Sequence, residues 1–501
     1  MNSSEAPTDS RTPQAAAAAP TDPIYAAPLD RALVRQIIVG IMLAMFLSAL
    51  EQTIVAPALP TLGRVLADVD NLSFVVTAYL LAATAVTPLF GKFADIHGRR
   101  LALLIAVAIF IAGSIACALA PSMGALIAGR ALQGIGGGGI LPIAQTIIAD
   151  LLSPRERPLY QSYSAVMFMA ASILGPVLGG FLTEYLHWSL IFWINVPMGA
   201  VALVMTDRAL RKLPRYERPH RLDFLGAGLM VAAALVLLLA LAWGGRRYAW
   251  DSPAIVGLIA ASGVLWALFA LRLARAPEPF IPTAVLRDRV VAAILVTGFF
   301  AIGTIIGLTI MTPLYLGLVL GLKPGESSLA LIAFVVGTTI GAMAAGRAMA
   351  RMPRYKRVPL IGLAIAIALL ADLAVDPAGH SLAGICVLLL VAGAGLGPMY
   401  PTTTIVIQNV VVPHHTGTAT GTLNFFRQLG GSIIVAAFGA IVLGGASESL
   451  TLDTLAGTSH AGGQFAAAFR WVFIAAAVFL SLAALAMMAV EERPLRGRGE
   501  G

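Results

Sequence analysis

The sequence has very little charge for its length. Only 12% of its 501 residues are Asp, Glu, Lys or Arg, whereas 58% are hydrophobic, and the mean hydropathy is +0.87. Soluble globular proteins carry about 25% charged residues, and half that fraction supplies too little polar surface to cover a compact body in water. The composition therefore excludes an ordinary soluble domain and predicts a chain that faces lipid.

Cysteine and the common catalytic motifs are also scarce. Cys117 and Cys386 are the two cysteines, and the chain has neither a CxxC pair nor a Cys/His cluster, so we expect no disulfide framework and no metal site. The chain lacks the GxxxxGK(S/T) loop of an ATP-driven pump and the DxxD or HxxxH patterns of a lipid-modifying enzyme. We therefore predict no enzymatic activity and no cofactor.

The positive net charge of +8 could indicate nucleic-acid binding, but the basic residues sit in short connectors between apolar runs. With the N-terminus in the cytoplasm, 26 of the 33 Lys and Arg residues lie on the cytoplasmic side and 4 lie outside. This asymmetry is typical of membrane topology. It predicts a multi-pass protein of the cytoplasmic (inner) membrane with both termini in the cytoplasm. We expect a monomer with no nucleic-acid partner, and the sequence does not indicate whether a periplasmic adaptor is used.

The apolar runs predict fourteen membrane helices. A hydrocarbon core about 30 Å thick requires about 20 apolar residues in a helix. Because the runs are continuous rather than alternating, they exclude a membrane β-barrel. The runs begin near Gln36, Leu72, Leu101, Ser122, Gln161, Trp188, Leu222, Pro253, Val290, Ser328, Val358, Ala383, Gly421 and Ala466.

The two halves of the chain resemble each other. The connector Gly91–Arg100 after helix 2 and the connector Gly346–Tyr355 after helix 10 both start with glycine at a helix end and carry basic residues, although Ala350 stands where the first has Asp95. Such duplication is frequent in transporters. It predicts an all-α polytopic membrane protein made of a cytoplasmic disordered tail (1–30), a six-helix bundle (31–207), two inserted helices (208–275), a second six-helix bundle (276–490) and a cytoplasmic tail (491–501).

Several short motifs resemble those of the major facilitator superfamily, and in particular those of its fourteen-helix drug:proton antiporters. The resemblance covers roughly residues 31–490 and implies alternating access, with a proton exchanged for an exported small molecule. The motifs are Leu50–Pro60 (LEQTIVAPALP), Gly91–Arg100 (GKFADIHGRR), Leu126–Gly134 (LIAGRALQG), Gly175–Gly180 (GPVLGG), Trp188–Pro197 (WSLIFWINVP) and Asn424–Gly431 (NFFRQLGG).

Glu51 is the candidate proton carrier. It lies inside an otherwise apolar helix, where an ionised carboxylate costs at least a few kcal/mol, and this suits a group that binds and releases a proton. Counting from the helix starts places Arg130 of helix 4 within reach of Glu51 near the outer side of the membrane. Each residue also has a structural interpretation: Glu51 as a permanent partner between helices, and Arg130 as a donor to buried carbonyl groups.

The resemblance assigns two further groups of residues. The connector residues Gly91, Asp95, Gly98, Arg99 and Arg100 would form a latch that stabilises a closed cytoplasmic side, although a solvated charge cluster is the alternative. In this family the helix 5 motif marks antiport rather than uniport or symport, and its residues here are Gly175, Pro176, Gly179 and Gly180.

Helices 1, 4, 9 and 12 line the pathway in the fold that this chain resembles. For any single polar residue in them, a bond between helices is as good an explanation as contact with substrate. The predicted substrate is an amphipathic small molecule or drug, with a cation favoured when Glu51 is ionised; the alternative is one endogenous lipid, siderophore or metabolite. The candidate cavity residues are Gln52, Gln133, Thr304, Met311, Tyr315, Met399, Tyr400 and Gln408.

Overall fold

The structure is a computed structural model, which describes residues 31–211, 223–245, 247–352, 355–445 and 461–492. The predicted tail at residues 1–30 lies outside the described residues. So do residues 493–501 of the predicted second tail and most of the connector before the seventh helix.

Fourteen helices in the described part of the chain are long and apolar enough to cross a membrane, which confirms the predicted number. They are α1 (Arg31–Val65), α2 (Leu72–His97), α3 (Arg99–Ala118), α4 (Met123–Leu151), α5 (Arg157–Tyr185), α6 (Leu190–Leu210), α7 (Phe224–Trp243), α8 (Pro253–Arg275), α9 (Arg289–Leu320), α10 (Ala330–Arg351), α11 (Arg357–Val375), α12 (Leu382–Val410), α13 (Pro413–Leu443) and α14 (Phe465–Ala489).

The predicted start of α13 near Gly421 is wrong, because its helix already begins with Pro413–His415 and continues from Thr416. Its first two turns are rich in threonine and glycine, so an apolar window misses them. Burial nevertheless holds these turns in the helix: Thr418 and Thr420 are inaccessible to solvent, and the Thr422 hydroxyl donates to the Thr418 carbonyl at 2.8 Å.

The helices assemble as two bundles with an inserted pair. In the first bundle α2 and α3 pack on α4, while α5 and α6 pack on α1. In the second, α13 and α14 pack on α9, and α10 and α11 pack on α12. The inserted helices α7 and α8 pack on each other, and α7 also lies against α2 and α13, one helix from each bundle. The predicted fold of two six-helix bundles with two added helices is confirmed.

The bundles meet through α2 with α13 and through α5 with α10. We call the side of the molecule at which α1 begins and α14 ends the terminal face. Near this face the backbones approach closely: a Cβ added to Gly346 of α10 would lie 2.7 Å from the carbonyl oxygen of Pro158 in α5. Gly91 of α2 likewise lies against Gly417 and Gly421 of α13. The terminal face is therefore closed in this conformation.

Helix α5 is held against α1 by glycine just beyond Glu51. A Cβ added to Gly175 would overlap the side chain of Thr53, and one added to Gly179 would overlap the carbonyl oxygen of Ile54. Thr53 also donates its hydroxyl to the carbonyl oxygen of Ala171 at 2.8 Å. The segment of α1 that carries Glu51 is thus fixed by direct backbone contact.

Alanine at each of two adjacent glycines of α5 should distinguish a glycine packed against α1 from one with open space beside it. Gly179→Ala inserts a methyl group against the backbone of Ile54, and such overpacking costs about 1–3 kcal/mol. Gly180→Ala is the matched control, because no atom lies within 4 Å of its added Cβ. We expect thermal unfolding of the purified protein to show a lower melting temperature for Gly179→Ala only. Equal melting temperatures would contradict the close contact of α5 with α1.

Candidate functional site

Glu51 and Arg130 form an ion pair inside the first bundle. Glu51 lies one turn before α1 is interrupted at Val55, and it has no exposed surface, while Arg130 of α4 is 1% exposed. One carboxylate oxygen of Glu51 accepts a hydrogen bond from Nη1 of Arg130. The other accepts from the side-chain amide of Asn195 in α6 at 2.5 Å. The predicted meeting of α1 and α4 at this depth is therefore present.

Arg130 has further acceptors besides the carboxylate. Its Nε donates to the carbonyl oxygen of Val75 at 2.9 Å, and its Nη1 donates to the side-chain oxygen of Gln133 at 2.6 Å. The Tyr79 ring covers the guanidinium at 4.6 Å, which adds a cation–π contact. Gln133 is held in turn by a 2.8 Å bond to the hydroxyl of Ser114. Arg130 thus keeps partners if Glu51 becomes neutral.

The buried pair of Glu51 and Arg130 stabilises the first bundle and also contains a carboxylate that can bind a proton. Removing one member of a buried ion pair costs about 3–5 kcal/mol, because the remaining charge is left without a partner. Protonation of Glu51 weakens the pair without removing the side chain, and the other acceptors of Arg130 reduce the cost of that step. The site can therefore exist in a charged and a neutral form, as a proton carrier must.

A cavity lies between the two bundles, next to this pair. It is a partly open cleft, and the empty space within it is about 480 Å³ when the open solvent at its mouth is included. Gln52, the neighbour of Glu51, lines it, as does Tyr79, whose ring touches Arg130. The full lining consists of Met45, Ser48, Gln52, Tyr79, Leu80, Ala83, Thr87, Gly137, Gly138, Leu141, Pro142, Phe168, Asn424 and Gln428.

Of the eight predicted cavity residues, Gln52 alone belongs to this lining. Three of the others lie in polar networks instead. Gln133 binds Arg130, Gln408 donates to the Gln145 carbonyl oxygen at 3.3 Å, and the Tyr400 ring lies 4.5 Å from the guanidinium carbon of Arg427. Gln133 also bonds Ser114 of α3, so the two amides and the Tyr400 ring all contact other helices, which is the alternative that the sequence left open.

The remaining four predicted cavity residues lie in the core of the second bundle and do not line this cavity. Met311 and Met399 are buried in its hydrophobic cluster. The Tyr315 hydroxyl donates to the carbonyl oxygen of Pro377 at 2.6 Å, and the Thr304 hydroxyl donates to the preceding turn at Phe300 at 2.7 Å. Because these bonds satisfy both hydroxyls, neither needs to face a cavity.

Several lining residues were not predicted, although helical spacing could have found some of them. Met45, Ser48 and Gln52 follow one another at three and four residues, which places them on one face of α1 beside Glu51. Tyr79, Ala83 and Thr87 repeat every four residues on α2. Asn424 and Gln428 have the same spacing on α13, within the motif Asn424–Gly431.

Asp95 joins the two bundles at the terminal face. One carboxylate oxygen accepts from the backbone N–H of Gly417 at 2.9 Å, and the other accepts from the N–H and the hydroxyl of Thr418 at 2.6 Å each. These N–H groups belong to the first turn of α13, where a negative charge is favoured by the helix dipole. Arg99 also donates to Asp95 at 2.6 Å.

The other predicted latch residues support this contact from within the first bundle. Gly98 ends α2 with a positive φ of 88°, a conformation that glycine adopts without strain. Arg99, which bonds Asp95, also donates its Nε to a carboxylate oxygen of Asp150 in α4 at 2.8 Å. Arg100 donates instead to Asp207 of α6, within the same bundle. Of the charged residues in the motif, Asp95 is therefore the one whose hydrogen bonds cross to α13.

The four residues of the predicted antiporter motif also divide into two pairs. Gly175 and Gly179 face α1, whereas Pro176 is exposed and Gly180 has open space beside it.

The sequence pattern of the Major Facilitator Superfamily matches residues 41–223 and 211–435. The chain belongs to this superfamily. An uncharacterised transporter of the same type from Mycobacterium tuberculosis is 35% identical over 86% of this chain, and this chain spans 62% of that relative's length. Multidrug resistance protein 3 of Bacillus subtilis is 31% identical over 86% of this chain and 84% of its own length. The family and these relatives are transporters, which are not enzymes.

Solved structures of the superfamily share the fold at low identity. A bacterial homologue of the iron transporter ferroportin, in an outward-facing state, has a TM-score of 0.64 and 12% identity over 92% of this chain and 100% of its own. The proton:xylose symporter XylE has a TM-score of 0.62 and 17% identity over 93% of this chain and 98% of its own.

Removing the charge of Asp95 should open the terminal face. Hydrogen bonds to a charged group contribute about 1.5–3 kcal/mol, so Asp95→Asn should raise the population open at this face by about tenfold or more. Spin labels at the exposed positions His97 and Val412, in a background without the native cysteines, would report this as a longer distance component. Asp207→Asn is the control, because Asp207 is also paired with arginine but within one bundle. An unchanged distance distribution in Asp95→Asn would contradict the latch.

Proposed function

We propose that the protein is a proton-coupled antiporter that exports amphipathic small molecules across the cytoplasmic membrane by alternating access. The observation that carries the proposal is the position of Glu51. It is a fully buried carboxylate, bonded to Arg130, and it directly precedes Gln52 in the lining of the cavity between the bundles.

The proton is assigned to Glu51 because opposing forces act on its carboxylate. Burial favours the neutral acid, whereas Arg130 and the amide of Asn195 favour the ionised form. Arginine side chains stay protonated in proteins, so the change of charge in the pair is assigned to Glu51. A small change in the position of Arg130 therefore changes the proton affinity of the carboxylate.

Tyr79 connects the binding of substrate to the proton affinity of Glu51. The Tyr79 ring covers Arg130 and also lines the cavity, so a molecule that fills the cavity presses on the partner of Glu51. Coupling between two ligands is reciprocal: if substrate favours loss of the proton, protonation favours loss of substrate by the same free energy. This is the relation that an exchange of proton for substrate requires.

Alternating access is assigned from the contacts that close one side. The distribution of Lys and Arg supports a terminal face that lies in the cytoplasm. In this conformation Asp95 with α13, and Gly346 with Pro158, close that face, so the cavity is closed to the cytoplasm. Export requires these contacts to break when substrate is loaded and to form again before its release on the other side.

The substrate class follows from the lining. Apolar side chains from Met45, Leu80 and Phe168 alternate with the hydroxyls of Ser48 and Thr87, which suits molecules with both apolar and polar parts. Methionine adapts to different shapes. The names of relatives such as Multidrug resistance protein 3 support a substrate of this class.

Glu51→Gln should abolish proton-driven transport while the protein still folds. The amide retains the size of the side chain but cannot exchange a proton at physiological pH. In proteoliposomes with an imposed pH gradient, we expect the flux of an amphipathic dye to fall to the rate of downhill leak in this variant. Asp372→Asn is the matched control, because Asp372 is 57% exposed and bonds His380 at the end of α11.

Two outcomes of that assay count against the proposal. If wild-type flux ignores the pH gradient, the protein is not a proton antiporter. If Glu51→Gln keeps gradient-driven flux, another group carries the proton.

A further inference from the structure

The second bundle contains a buried arginine to which the proton cycle assigns no part. Arg427 lies eleven residues after Thr416 in α13, about 17 Å along the helix and so near the middle of the membrane. It is 1% exposed. Its Nη2 donates to the carbonyl oxygen of Tyr400 at 3.0 Å and to the hydroxyls of Thr403 and Thr404 at 2.5 and 2.9 Å.

All these acceptors are neutral. Nη1 of Arg427 donates to the side-chain oxygen of Asn424 at 3.2 Å, and the face of the guanidinium lies on the ring of Tyr400. In the described part of the chain no aspartate or glutamate pairs with Arg427, and its Nε has no hydrogen-bond partner. A buried arginine with a purely structural role would be expected to have all its donors satisfied.

The contrast with Arg130 is informative. Arg130 is neutralised by Glu51, so that pair adds no net charge beside the cavity when the carboxylate is ionised. The expected preference for a cation at an ionised Glu51 therefore loses its basis. Arg427 keeps a full positive charge in the membrane without a counter-ion from the described residues. Such charges are costly, and in membrane proteins they mark substrate and ion pathways.

Arg427 lies directly behind the cavity wall. Its neighbours along α13, Asn424 and Gln428, both line the cavity, and Asn424 bonds the guanidinium. On the other side, the Tyr400 ring that covers Arg427 packs 6.3 Å from the ring of Phe168, which is also a lining residue. One layer of side chains thus separates the charge from the cavity.

That layer is held in place by bonds between the bundles. The amide of Asn424 donates to the side-chain oxygen of Gln145 in α4 at 2.8 Å, and Gln408 of α12 donates to the Gln145 carbonyl oxygen at 3.3 Å. Separation of α4 from α12 and α13 at the terminal face breaks both bonds. Asn424 is then free to turn away, which gives the cavity access to the guanidinium.

We propose that Arg427 binds an anionic group of the exported molecule, either a carboxylate, a sulfonate or a phosphate, when the cavity opens at the terminal face. The preferred substrates are then amphipathic anions or zwitterions rather than simple cations. The planar guanidinium suits such groups because it presents parallel N–H donors. This inference rests on the proposed export function, since it concerns the molecule that occupies the same cavity.

The test is equilibrium binding of two dyes to the full chain in lipid nanodiscs, without a pH gradient. Fluorescein is anionic and pyronin Y is cationic, and both have a xanthene ring. Wild type should bind fluorescein more tightly than pyronin Y. Arg427→Gln should weaken fluorescein binding by about tenfold or more and leave pyronin Y within about twofold. Arg427→Lys should restore part of the loss, because it restores the charge. Arg470→Gln, at an exposed arginine on α14, should match wild type.

Three results would overturn the inference: no preference of wild type for fluorescein, unchanged fluorescein binding in Arg427→Gln, or an equal loss of both dyes in that variant. An equal loss would assign Arg427 to structure alone. A different result would contradict the export function while leaving the anion site in place. If fluorescein binding depends on Arg427 but fluorescein flux in proteoliposomes ignores the pH gradient, the anion site stands and proton coupling does not.

Discussion

The ion pair of Glu51 with Arg130 is the constraint on which the first bundle depends. Each charge is costly in the membrane interior, and four helices converge to satisfy the pair: α1 and α4 supply the charges, α2 supplies the Val75 carbonyl and Tyr79, and α6 supplies Asn195. The glycine contacts of α5 fix the same segment of α1. A change of charge on Glu51 therefore alters contacts in which most helices of the first bundle take part.

The buried arginines of the two halves have different partners. The first balances its arginine with a carboxylate, which is the proposed proton carrier, while Arg427 of the second meets neutral acceptors. Between them lies a cavity whose walls contact both, through Tyr79 on one side and Asn424 on the other. In the proposed cycle Glu51 of the first half carries the proton, Arg427 of the second half binds the anionic group of the substrate, and Asp95 joins the halves at the terminal face.

The sequence predicted the features that follow from physical constraints along one helix. The helix number follows from apolar length, and the meeting of Glu51 with Arg130 follows from helical rise. The cavity lining could not be predicted as well, because a hydroxyl such as that of Thr304 either bonds its own helix or faces a neighbour, and the rotation of the helix decides which. The start of α13 was missed for a related reason: its threonine-rich first turns depend on contacts with the other bundle, which no apolar window records.

The most direct test of the central claim follows the proton on Glu51 itself. Infrared difference spectroscopy of the reconstituted protein, with carbon-13 in the glutamate carboxyls, reports whether a carboxylic acid becomes a carboxylate when substrate is added. Wild type should lose a protonated glutamate band when substrate is added, and Glu51→Gln should show no such change. The same difference spectrum in both proteins, or no change in wild type over the pH range in which transport occurs, would contradict it.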